Sequence, residues 1–139
     1  MGKRPIPLSI KIIGALFLID ASLKLATMKL GSEIVLGFPV VGPFASCFKI
    51  IYAVVFTFVG SGLWKLRNVA RQIGVWLQAY RIIDQLALLI FMFANWNPNA
   101  SKYPPLLSAL ALASLCIVPA LIQGVILMFL LRRQSFFKT

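Results

Sequence analysis

Gln78, Arg81, Asp84 and Gln85 lie inside an apolar stretch, residues 74–94, that is long enough to cross a bilayer. Ionisable side chains are costly there, so they need a counter-charge, a binding role or a place on an ion or proton path. At 3.6 residues per turn, Gln78, Arg81 and Gln85 fall within about 40° of Gly74. Arg71 extends this stripe, and Asp84 stands at its edge, one turn from Arg81. Ala79, Ile83, Leu86 and Ile90 form the opposite, lipid-compatible face. The stripe Arg71, Gly74, Gln78, Arg81 and Gln85 is expected to face the bundle interior, a neighbouring subunit or a lipid headgroup.

The elements that must carry these groups are spanning helices. The chain has 139 residues, 60% hydrophobic and only 12% charged, with a mean hydropathy of +0.93. A soluble domain would hold roughly 45–50% apolar and about 25% charged residues. The excess falls in runs of about 20 residues, the length that crosses the hydrocarbon core. Spans are predicted at 6–26, 40–63, 73–94 and 106–131. Together they predict one all-α domain, an antiparallel four-helix transmembrane bundle.

The connections are short. Residues 27–39 predict a loop in the membrane interface, because Ile34, Val35, Leu36 and Phe38 keep it apolar. Residues 64–72 predict a tight basic turn, and Asn95, Pro98, Pro104 and Pro105 mark the third connection. The triplet Asn99, Ala100, Ser101 has glycosylation spacing but sits against the membrane, where chance accounts for it. Pro119 is expected to kink the fourth span.

Charge sets the orientation. Lys3, Arg4, Lys65, Arg67, Arg71, Arg132, Arg133 and Lys138 fall on one side, against Lys24, Lys29 and Lys102 on the other. Lys and Arg concentrate in cytoplasmic loops, which predicts both termini inside. The net charge of +11 does not point to nucleic acid, because the basic residues sit at the ends of apolar runs and form no continuous patch. Attraction to anionic lipid is the expected consequence.

Depth groups the buried charges. At about 1.5 Å per residue, Lys49 lies roughly 13 Å from the outer edge of the core and Asp84 about 12 Å from it. Arg81 is about 4 Å deeper and Asp20 about 4 Å shallower by the same rise. Asp20, Lys49, Arg81 and Asp84 are therefore expected to share one layer as a charge network between the first three spans. Lys49 falls on the small-residue face of the second span, with Gly42, Ala45, Ala53 and Gly60, and so should point toward protein. Asp20 and Lys24, four residues apart, are placed to pair locally.

Enzymatic chemistry has little to work with. There is no His, and there are only three acids. No phosphate-binding glycine loop, metal-ligand spacing or nucleophile–base set occurs. Cys47 and Cys116, inside apolar runs, read as small hydrophobes. No intrinsic cofactor or metal is expected. Bound lipid is expected, and any pigment contact would lack a His ligand.

The whole-chain layout resembles the broad group of small uncharacterised bacterial four-transmembrane-helix proteins. The likeness rests on Arg4-Pro5 before the first span, GLWKLRNVAR at 62–71 and LLRRQSFF at 130–137. It implies the bacterial inner membrane and brings no activity or site residues with it; the polar third span and Lys49 have no counterpart there. From the residues, the expected role is a non-catalytic accessory subunit of a larger respiratory or photosynthetic membrane complex, with other membrane subunits and lipid as partners. The alternative is a small transporter or channel-like homo-oligomer that uses the buried charges as an ion or proton path.

Overall fold

The computed structural model describes residues 6–97 and 104–137. Arg4-Pro5, Lys3, Lys102, Lys138 and the Asn99–Ala100–Ser101 triplet lie outside the described residues. The described residues form four α-helices: α1 (Leu8–Ala26), α2 (Pro43–Trp64), α3 (Asn68–Ala94) and α4 (Pro105–Arg132). Three of them, α2, α3 and α4, hold segments long and apolar enough to cross a membrane. The 19-residue α1 is set apart from them by three charges, Lys11, Asp20 and Lys24, and not by a lack of apolar residues.

Successive helices run antiparallel. Trp64 at the end of α2 donates Nε1–H to the Lys11 carbonyl near the start of α1, at 2.9 Å. The two helices cross at Gly14 and Gly60, where a β-carbon on Gly60 would lie 2.8 Å from the Gly14 carbonyl oxygen. Close approach of this kind is what small residues allow. Tyr52 meets Tyr80 across α2 and α3. Across α3 and α4, Met92 meets Cys116, and Gly74 faces Leu130.

The apolar core fills the half of the bundle nearest the α2–α3 turn. Ile10, Ile13, Phe17 and Ala21 recur at helical spacing along α1 and pack on Ala53, Phe56, Val59 and Leu63 of α2. Phe17 and Phe56 meet edge-on, with ring centroids 5.9 Å apart. Leu130 and Phe137 close this core from the end of α4. From α3 the buried residues are Ala70, Gly74 and Gln78, which lets the α3 backbone come close.

Two connections depart from expectation. Residues 27–39 are not an irregular loop. A short 3₁₀ turn (Met28–Leu30) leads into an antiparallel hairpin, β1 (Ser32–Val35) and β2 (Phe38–Val41). Leu36 and Gly37, both at positive φ (51° and 79°), form the two-residue loop, the backbone of a type I′ turn. Pro39 pairs opposite Ile34. Pairs in such a ladder alternate between bonded and non-bonded, and Pro39, with no N–H to give, is accommodated at a non-bonded one.

The basic turn is also shorter than predicted. Only Lys65, Leu66 and Arg67 separate α2 from α3. The Arg67 N–H closes this turn on the Gly62 carbonyl at 3.0 Å. Arg71 therefore belongs to the first turns of α3, where its Nε donates to Asn68 Oδ1.

Candidate functional site

At the hairpin end the packing between α2 and α3 gives way to a polar hollow of about 150 Å³. Lys24, Glu33, Tyr52, Arg81, Asp84 and Gln85 line it, with Phe56, Tyr80 and Leu88. The chain has only three acids. Two of them, Glu33 and Asp84, line this hollow, and the third, Asp20, is bonded to its Arg81.

Each ionisable group here has a partner within the chain. Arg81 Nη1 reaches Asp20 Oδ2 at 2.6 Å, joining α3 to α1 across 61 residues. Its guanidinium also stands 5.3 Å from the centroid of the Phe56 ring. Lys24 Nζ pairs with Glu33 Oε1 on β1 and lies 5.5 Å from the centroid of the Tyr52 ring. Asp84 Oδ1 accepts the Gly37 N–H at 3.2 Å. The Tyr52 hydroxyl donates to that of Tyr80 at 2.9 Å. Two of these bonds, at Glu33 and Gly37, fasten the hairpin to the helices, and Phe38 adds an edge-on contact with Phe91.

The four residues grouped by depth thus make separate contacts. Asp20 and Arg81 meet. Lys49 is buried, as its small-residue face implied, but it donates to the Thr27 carbonyl at 2.7 Å. That carbonyl lies at the end of α1, where a cation is favoured, and it also accepts the Leu30 N–H at 3.0 Å. Asp84 binds a backbone amide. The local Asp20–Lys24 pairing gives way to two tertiary pairs, because each side chain finds a partner on another element. Glu33, Tyr52 and Tyr80 were not singled out in the sequence; the one available signal was that Glu33 is one of three acids.

The α3 stripe turns mostly inward. Gly74 faces Val59, Leu130 and Phe17, Gln78 is only 1% exposed, and Arg81 and Gln85 line the hollow. Arg71 stands 5.8 Å from the centroid of the Phe137 ring. The opposite residues Ile83, Leu86 and Ile90 are exposed. Among the described residues, two buried oxygens, Gln78 Oε1 and Gln123 Oε1, have no hydrogen-bond partner.

Among the described residues, no group of three His, Cys, Asp or Glu side chains comes close enough to hold a metal ion. The acids surround the hollow without converging on one point. No family model matches the chain, and no curated protein or solved structure is similar to it. The resemblance drawn from the sequence therefore rests on its short motifs alone.

Proposed function

We propose that the chain is a four-span membrane protein with both termini cytoplasmic, acting as a non-catalytic accessory subunit of a larger bacterial membrane complex. The observation that carries this reading is the internal pairing of the hollow. Lys24, Arg81 and Asp84 are each engaged by Glu33, Asp20 or the Gly37 amide. Groups so engaged brace the helices and hold the hairpin, whereas a transport path needs groups that exchange partners.

Three features support α1 as the fourth span. At about 1.5 Å per residue its 19 residues reach about 28 Å, close to the ~30 Å core. Its charges Asp20 and Lys24 are paired with Arg81 and Glu33. Lys11 is close to its end, where a long side chain can reach the headgroups. With the polar groups turned inward, α3 and α4 present Trp76, Ile83, Ile90, Leu110 and Leu121 outward. That apolar surface suits lipid and neighbouring subunits alike.

Extraction in mild detergent followed by native electrophoresis tests the role. Co-migration with a larger assembly is expected. A homogeneous homo-oligomer that moves ions or protons in liposomes would replace this reading with the transporter. Orientation is tested with Ser32→Cys in a Cys47→Ala, Cys116→Ala background. A membrane-impermeant maleimide added to intact cells with a permeabilised outer membrane should label it.

A further inference from the structure

A second feature lies on the opposite face of α3, away from the polar hollow. Ile82, Leu86 and Leu89 of α3 and Cys116, Ala120 and Gly124 of α4 line an apolar groove of about 510 Å³. The groove exists because α4 presents small residues there at intervals of four. A β-carbon on Gly124 would meet nothing within 4 Å. From Cys116 to Met128 the groove runs about 18 Å along α4, at about 1.5 Å per residue. One leaflet of a ~30 Å hydrocarbon core is about 15 Å deep.

The groove does not end blindly. Val125 and Met128 also line a second hollow, about 350 Å³, which contains Arg132, Arg133 and Ser135. The Arg133 guanidinium is held by two aromatic rings, 5.4 Å from the centroid of Phe129 and 5.4 Å from that of Phe136. All three acids of the chain are engaged at the hairpin end, so none competes for these arginines.

We infer that the groove and the hollow together form a binding site for one anionic phospholipid of the leaflet at the Arg132 end. An acyl chain lies along α3 and α4, and the phosphate is held by Arg132 and Arg133. Arginine suits this role, because its planar guanidinium gives charge-assisted, bidentate bonds to phosphate oxygens. Basic hollows between spanning helices at a membrane surface are where such headgroups bind. The leaflet-length apolar groove opening onto a basic, acid-free hollow distinguishes this occupant from a second helix. A helix would fill the groove but leave the arginines without a counter-charge. This site does not depend on the subunit role proposed above, or on which side of the membrane Arg132 faces.

The test is native mass spectrometry of the delipidated full chain in detergent. It is titrated with phosphatidylglycerol or with phosphatidylcholine carrying the same acyl chains. Phosphatidylglycerol should be held roughly tenfold more tightly, because both lipids offer a phosphate but the choline cation of phosphatidylcholine is repelled by the two arginines. Arg132→Gln with Arg133→Gln should reduce it to the phosphatidylcholine level. Lys65→Gln with Arg67→Gln, exposed charges at the same end, should leave the preference intact. Gly124→Leu, which fills the groove, should weaken both lipids. Equal retention of the two lipids by the unaltered chain, or a preference that survives loss of both arginines, would overturn the site. So would a Gly124→Leu chain that keeps its lipid while a dimer of the unaltered protein falls to monomer, since the groove would then receive a helix.

Discussion

Gly37, in the tip of the hairpin, stands so close to α3 that a β-carbon on it would lie 2.6 Å from the carbonyl carbon of Ala87. Gly31, which precedes the hairpin, has a similar left-handed φ of 61° but nothing within 4 Å. The two positions separate backbone strain from collision. Gly31→Ala is expected to cost about 1 kcal/mol, the strain of a left-handed non-glycine residue. Gly37→Ala adds a clash with backbone that cannot swing aside, and should lift the hairpin from α3. Hydrogen exchange at amides 32–41 should then speed up in Gly37→Ala far more than in Gly31→Ala.

The Asp20–Arg81 pair is expected to behave as a coupled unit. Asp20→Asn alone leaves a guanidinium among helices, at a cost on the scale of about 2.5–3.5 kcal/mol for an unpaired intramembrane charge. Arg81→Gln alone strands the carboxylate. The double substitution removes both charges and should recover part of the loss. A double-mutant cycle on thermal unfolding in detergent measures the coupling. Strict additivity of the two single effects would show that the pair contributes nothing.

Gln78 gives an expectation of the opposite sign. Its Oε1 is buried without a partner, and such a group carries a desolvation cost of about 1–3 kcal/mol. Gln78→Leu should therefore leave the melting temperature unchanged or raise it. Gln78→Glu, which places a charge at the same depth, should lower folded yield. Both are read by size-exclusion recovery and thermal unfolding.

The crossing of α1 and α2 should resist any added methyl. Gly60→Ala sets a carbon 2.8 Å from the Gly14 carbonyl oxygen and 2.9 Å from Leu18 Cγ. Overpacking of this kind costs about 1–3 kcal/mol. Because Trp64 is bonded to Lys11 across the same crossing, its fluorescence should shift in Gly60→Ala. Gly124→Ala, in open space on α4, should change stability little.

Much of this arrangement was legible in the sequence, and what escaped has physical causes. The inward placement of Lys49 follows from helical periodicity, which is a local property; the α1 face Ile10, Ile13, Phe17, Ala21 does not, because Leu8, Ile12, Leu16 and Ile19 make the outward side equally apolar. Depth along a helix is also readable, but depth carries no azimuth. It set Lys49 level with Asp84, yet Lys49 points to the end of α1 and Asp84 to the hairpin. The hairpin was hidden by its turn. Leu36 takes a left-handed φ of 51° where Asn, Asp or Gly is usual, and Pro39 lies within β2, where proline argues against a strand. Without that hairpin, Glu33 has no defined position, and the Lys24–Glu33 pair cannot be foreseen. The start of α3 was missed because Asn68, Arg71 and Gln72 are polar, although the helix there has already begun.

The bond between Asp20 and Arg81 also imposes an order in time. Sixty-one residues separate the partners, and at roughly 5–20 residues per second the ribosome takes about 3–12 s to add them. For those seconds the first helix has been made while Arg81 is still missing, and its acid can meet only Lys24, four residues further on. A nascent chain that stops short of Arg81 has no side chain with which α3 can be tied to α1 at Asp20, so this link closes only after half of the third helix has been made.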